Sequence, residues 1–218
     1  MRANPGGQLD PSEVLGRDDF IRRLWRILKR QSLVLSAERR MGKTSVIKKM
    51  VDEGPEDMLL IYHDLEGIQT PLEFVEVIFR DVENHLSRFR RNAQRTRRFL
   101  EQMEGASFMG LKFPKIAAPH WKGLLNKTLE DLMDHQNHTV IFFWDELPLM
   151  LYKIHQSEGE QVAMEILDAL RSLRQMHTGL RMVFTGSIGL HNILSSLKQA
   201  GYANAPTSDM GIEEVPPL

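Results

Sequence analysis

The sequence predicts an α/β fold built on a mainly parallel sheet. Short apolar runs rich in β-branched and aromatic residues recur along the chain, and stretches with helical apolar spacing separate them. The polar residues able to do chemistry gather where those runs end. In a parallel sheet that is the side on which ligands bind.

Taken in order, residues 1–14 (MRANPGGQLDPSEV) are rich in Gly, Pro and polar groups and predict an irregular arm. Asp18 or Asp19 can cap a helix that carries Phe20, Ile21, Leu24, Trp25 and Leu28 on one face. Ser32 to Ala37 is a short buried strand, and Lys43 to Val51 a helix with Val46, Ile47 and Met50 aligned. Met58 to Leu65 is the next strand, ending beside Asp64 and Glu66. Pro71 opens a helix, where its missing N–H has no partner to lose. Gly105 to Pro119 predicts a loop or a small hairpin, and Trp121 to Met133 a helix. Thr139 to Glu146 (TVIFFWDE) is the strongest strand, apolar without alternation as expected when both faces are covered. A helix from Val162 to Met176, a strand from Leu180 to Ser187, a helix from Leu190 to Leu197 and a short strand from Ile212 to Val215 complete the pattern.

Composition sets the class. The chain has 218 residues, 42% hydrophobic and 26% charged, with a formal net charge of -1. That is globular composition and gives no overall drive toward nucleic acid or a membrane surface. Cysteine is absent, which removes disulfides and thiolate metal sites and fits a reducing cytoplasm. No apolar run approaches the roughly 20 residues that span a bilayer, and the N-terminus lacks the apolar core of a signal peptide. The expectation is a cytoplasmic protein.

Residues 37–44 read Ala-Glu-Arg-Arg-Met-Gly-Lys-Thr, a P-loop pattern with Ala in place of the first Gly. Triphosphate oxygens need several convergent donors, and a tight loop through Ala37, Glu38, Arg39, Arg40 and Met41 can aim its backbone N–H groups inward. Gly42 lets the backbone approach phosphate with no Cβ in the way. Lys43 supplies a point charge to the β- and γ-phosphates, and the Thr44 hydroxyl can ligate Mg²⁺. The helix that begins here, through Ser45, adds the positive end of its dipole. Asp145 and Glu146 follow the VIFFW run: an Asp there holds Mg²⁺, and a Glu directly after it can take a proton from attacking water. The next strand ends in Thr185-Gly186-Ser187. A hydroxyl there can sense the γ-phosphate, and the sequence does not choose between Thr185 and Ser187.

In order, Leu15-Gly16-Arg17, the AERRMGKTS loop, the FFWDE strand and FTGS resemble the prokaryotic AAA-like P-loop ATPases related to the archaeal ATPase and STAND groups, in the catalytic-glutamate (ASCE) branch. The resemblance spans Leu15 to Leu218, and the ERRMGKTS loop and the Asp-Glu pair carry most of its specificity. It implies a three-layer core with five strands in the order 5-1-4-3-2, and ATP rather than GTP as the nucleotide. It places Gly16 and Arg17 near the adenine, Lys43 and Thr44 on phosphate and Mg²⁺, and Glu146 as the catalytic base. Members continue into a helical lid and often a sensor domain. Residues 15–218 are therefore expected to be the ATPase core alone, with the lid and its sensor arginine absent and a homo-oligomer or protein partner engaged through the missing part. The implied function is Mg²⁺-dependent ATP hydrolysis coupled to a conformational switch. The alternatives are a nucleotide switch with negligible hydrolysis and a nucleic-acid-associated ATPase.

Weaker signals remain. Arg88, Arg90, Arg91, Arg95, Arg97 and Arg98 suit a solvated helix face, a nucleic-acid surface, a partner surface or an arginine acting in trans. Asp64 and Glu66 suit water around Mg²⁺ or a turn at Gly67. His135 and His138, without further ligands, suit a turn better than a metal site. Leu147 to Tyr152 suits core packing or a helix responsive to nucleotide.

Overall fold

The apolar runs become strands, five of which form one parallel sheet. A computed structural model describes residues 14, 16–86, 105–108, 111–113, 121–134, 138–199 and 205–217. The strands are β1 (Leu33–Ser36), β2 (Met58–Asp64), β3 (Gly105–Phe108), β4 (Leu111–Phe113), β5 (Thr139–Asp145), β6 (Leu180–Phe184) and β7 (Gly211–Glu214). The helices are α1 (Asp18–Leu28), α2 (Lys43–Asp52), α3 (Pro71–Leu86), α4 (Trp121–Asp134), α5 (Leu147–Glu158), α6 (Glu160–Met176) and α7 (Leu190–Gln199).

Two compact units divide the chain: residues 1–68 with 138–218, and residues 69–137. The first unit holds the five-stranded sheet in the order β2-β5-β6-β1-β7, every neighbouring pair parallel. Numbered along the sheet's own strands, this is the expected order 5-1-4-3-2 read from the other edge. Alternation sorts its side chains into two faces. Leu33, Leu35, Ile141, Phe143 and Val183 form one buried cluster with Ile21, Leu24 and Leu28 of α1 and Val46, Ile47 and Met50 of α2. Trp25 meets Phe143 edge-on with ring centroids 6.3 Å apart. On the opposite face Trp144 lies between Phe142 and Phe184, at 5.2 and 5.9 Å. Arg174 of α6 covers Phe184 at 5.6 Å. The unit is thus three-layered. Each fully buried side chain of this size contributes about 1.5–3 kcal/mol.

Arg174 also ties down the approach to β7. It donates to both carboxylate oxygens of Asp209 at 2.9 Å and to the Pro206 carbonyl at 2.8 Å. That pairing outweighs burial and holds the Asp209 carboxyl below its usual range.

The second unit holds α3, α4 and a β3–β4 antiparallel hairpin, one of the two forms expected for Gly105 to Pro119. A capping box starts α3. Thr70 Oγ1 accepts from the Glu73 N–H at 3.2 Å, and Glu73 returns its carboxylate to the N–H groups of Thr70 and Gln69.

Element ends differ from expectation by a few residues. Asp18 and Asp19 do not cap α1. Arg17 occupies the cap position without a side-chain cap bond, and both acids lie in the first turn, where they complement the helix dipole. Val14, expected in the irregular arm, is buried, and its carbonyl accepts from Lys49 at 3.0 Å. Leu147 to Tyr152 belongs to α5, with Leu147, Pro148, Met150 and Leu151 buried. The arginines from 88 to 98 and His135 lie outside the described residues. His138 is exposed just before β5. No helix among the described residues is long and apolar enough to cross a membrane.

Candidate functional site

Sheet order brings the expected residues together. The 37–44 loop leaves β1, the acidic pair leaves β5, and β6 runs between those strands. Two strand spacings separate β1 from β5 by about 10 Å. The first residues of α2 reach across that gap, since Thr44 touches Asp145 directly.

The loop turns through two left-handed residues, Arg40 at φ 68° and Gly42 at φ 83°. Gly42 takes that conformation freely, and Arg40 does so at a cost of order 1–3 kcal/mol. Gly42 is the cap residue of α2, so the free N–H groups of the first turn face the loop's interior. Lys43 curls back across the loop. Its Nζ donates to the Ala37 carbonyl at 2.8 Å and the Glu38 carbonyl at 3.0 Å. An ammonium has three donors, so one remains. Burial pushes the Lys43 pKa down, and Glu146 and Asp145 oppose that shift.

Thr44 donates its hydroxyl to Asp145 Oδ2 at 2.6 Å. Asp145 is buried, and burial raises its pKa, with Glu146 and Asp64 adding to the rise and Thr44 opposing it. Tyr62 reports the same field. Its phenol is pushed far up by burial first, then by Asp145, Asp64 and Glu146. The carboxylates of Asp145, Asp64 and Glu146 thus add to the effect of burial at this phenol. The oxygen donors of Thr44 and Asp145 fit Mg²⁺, which is held by one or two protein oxygens with phosphate and water completing its shell. Among the described residues no cluster of three or more His, Asp or Glu could hold an ion without such help.

The Asp145 charge is unfavourable in the folded state without a cation. A raised folded pKa means this group's contribution to stability falls as pH rises above the unfolded value. Asp145→Asn is therefore expected to raise the Tm of the nucleotide-free protein near neutral pH while weakening Mg²⁺-dependent nucleotide binding. Thermal melts with and without Mg²⁺-ATP check both. A lower Tm in the nucleotide-free variant would contradict the burial account.

Glu146 is the second non-glycine residue with positive φ, at 55°, and caps α5. Its carboxylate accepts from the Ser187 N–H at 2.9 Å and from Ser187 Oγ at 2.8 Å. Of the two hydroxyls at the end of β6, Ser187 therefore meets Glu146. Thr185 is buried, and its hydroxyl has no hydrogen-bond partner among the described residues. Gly186 makes the approach possible. A Cβ there would stand 2.7 Å from Pro148 Cδ and 3.3 Å from Glu146 Oε2. Sequence reading passed over this glycine, although its place between two candidate hydroxyls marked it.

The other expected residues lie around this loop and the neighbouring strand ends. Arg17 is buried and donates to the carbonyls of Met41, at 3.2 Å, and Pro216. Its guanidinium braces the loop. Gly16, Glu38, Arg39 and Arg40 are exposed, and Ser45 half-buried in the first turn of α2. Asp64 Oδ1 accepts from the Glu66 N–H at 3.0 Å, which is the turn reading of that pair.

Among curated proteins none matches the sequence. Solved structures similar in fold include the following three. The Walker-type ATPase PABY2304 of Pyrococcus abyssi has 19% identity and a TM-score of 0.60, covering 99% of this chain and 57% of that one. The ORC2 protein of Aeropyrum pernix, in ADPNP–ADP complexes, has 14% identity and a TM-score of 0.57, covering 97% and 50%. The ORC1 protein of Aeropyrum pernix, in complex with DNA, has 16% identity and a TM-score of 0.54, covering 93% and 46%. The chain thus spans about half the length of the structures it resembles. A family model described as an AAA domain matches residues 26–194. With the parallel sheet, the loop after β1 and the acidic pair after β5, that match makes this chain a member of the AAA domain family of P-loop ATPases.

Proposed function

We propose that the chain binds ATP with Mg²⁺ at the 37–44 loop and hydrolyses it, coupling nucleotide state to a conformational switch. The observation that carries this is the bond between Thr44 and Asp145 at 2.6 Å, with Glu146 held beside it by Ser187. In this reading the loop amides and the third Lys43 donor bind the terminal phosphates. Thr44 and Asp145 hold Mg²⁺, which neutralises phosphate charge in the transition state. Glu146 accepts a proton from the attacking water. Ser187 keeps the Glu146 carboxylate turned toward β6 until the γ-phosphate offers its N–H and hydroxyl another acceptor. Movement of Ser187 then frees the base and shifts the chain that follows β6, which is the proposed switch. Gly16 lies near the base of the nucleotide, and Arg17 steadies the loop.

Single-turnover phosphate release from ATP tests the proposal. Release that stops on adding EDTA and returns with Mg²⁺ is expected. Tight ATP binding with no release would leave a nucleotide-binding switch, and absence of ATP binding would reject the site altogether.

A further inference from the structure

The exposed face of α1 carries charge that the nucleotide site does not use. Arg22, Arg23 and Arg26 lie on the helix, and Lys29 and Arg30 continue in its closing turn. At 3.6 residues per turn all five fall within an arc of about 120°, opposite Ile21, Leu24 and Leu28. All five are exposed, while the chain as a whole has a formal charge of -1. Arg23, Arg26, Lys29 and Arg30 line one open hollow of about 670 Å³ together with Ile27 and Gln31. Arg22 and Arg26 line a neighbouring hollow of about 550 Å³ with Trp25 and Asp19.

The bland account is a solvated helix surface; two observations count against it, and a third counts against a protein partner. Only Arg22 and Arg23 have acidic partners among the described residues, Asp19 and Glu213. The cations are not needed to cap the helix, because Arg181 already donates to the carbonyls of Leu28 and Lys29 at 3.0 and 3.4 Å. The apolar residues that line these hollows, Trp25 and Ile27, are only partly accessible to a protein partner. Trp25 and Ile27 are half-buried, and the Trp25 ring packs against Phe143.

We propose that this face of α1 docks the phosphate backbone of double-stranded DNA, without reading sequence. Four of the five cations are arginines, whose planar fork matches phosphate oxygens. From Arg22 to Arg30 the helix rises about 12 Å. At roughly 3.4 Å of axis per phosphate on one strand, that length meets three to four phosphates. The docking surface does not depend on ATP hydrolysis, so the two proposals fail separately.

Fluorescence anisotropy of a short random-sequence duplex, titrated with the full chain across a range of salt, tests it. A log–log salt slope near -3, from about 0.9 per neutralised phosphate, is expected. The triple variant Arg26→Glu/Lys29→Glu/Arg30→Glu is expected to bind on the order of 100-fold more weakly at ~0.1 M salt and to flatten that slope. Its circular dichroism and ATP binding should match the wild type, because none of the three touches the loop. The proposal is overturned by a variant that binds duplex as the wild type does. It is overturned equally if binding is lost only when Arg90, Arg91, Arg97 and Arg98 are reversed to Glu, or if polyglutamate of equal charge competes as well as duplex does.

Discussion

Glu146→Gln is expected to bind Mg²⁺-ATP within a few-fold of wild-type affinity and to lose a factor of 10²–10⁴ in turnover, the usual share of a positioned general base. Geometry makes this substitution clean. The Gln side-chain oxygen can still accept from the Ser187 N–H and hydroxyl, which now meet the Glu146 carboxylate at 2.8–2.9 Å. The left-handed backbone at φ 55° is unaffected by exchanging O for NH₂. The ability to take a proton disappears, together with one of the two oxygens that now share the Ser187 N–H. The measurement is ATP affinity beside single-turnover hydrolysis. Equal turnover in the two proteins would remove Glu146 from the chemistry and leave it as a partner of Ser187 alone.

Lys43→Met is expected to weaken ATP binding by about 2–5 kcal/mol, on the order of 30-fold to several-thousand-fold, as when one member of a buried charge pair is removed. Met keeps most of the apolar stem, so packing at this buried position changes little. Two effects add. The phosphates lose a charge-assisted donor, and the carbonyls of Ala37 and Glu38 lose the ammonium that now bridges them. A melting curve of the nucleotide-free variant separates loop destabilisation from lost phosphate contact. If the Met variant bound ATP as the wild type does, the third donor of Lys43 would not point at the phosphates.

Much of the fold could be read from the chain because its strands are buried on both faces and so are apolar throughout. The VIFFW run became Val140 to Trp144 of β5, all buried. The P-loop residues were legible because their chemistry restricts residue type at each step. Three features were not legible, for different reasons. The bond from Ser187 to Glu146 joins residues 41 positions apart, across a glycine at 186 where a Cβ would crowd Pro148 and Glu146. The brace from Arg17 to Pro216 spans 199 positions, beyond any local pattern. The cationic side of α1 was present in the spacing of Arg22, Arg26 and Lys29. Periodicity was read there for what turns inward, and the outward residues of an amphipathic helix are polar by default. The Thr70–Glu73 box is another local signal that was readable, hidden behind the more conspicuous Pro71.

Arg17 has a mechanical consequence. One planar guanidinium links the Met41 carbonyl, inside the phosphate loop, to the Pro216 carbonyl, just beyond the last strand. It is almost fully shielded from water, so neither bond has a ready aqueous substitute. Any tightening of the loop around a guest must stretch one of these tethers or shift the segment that follows β7. Strain generated at the cradle therefore has a path through this guanidinium to Pro216.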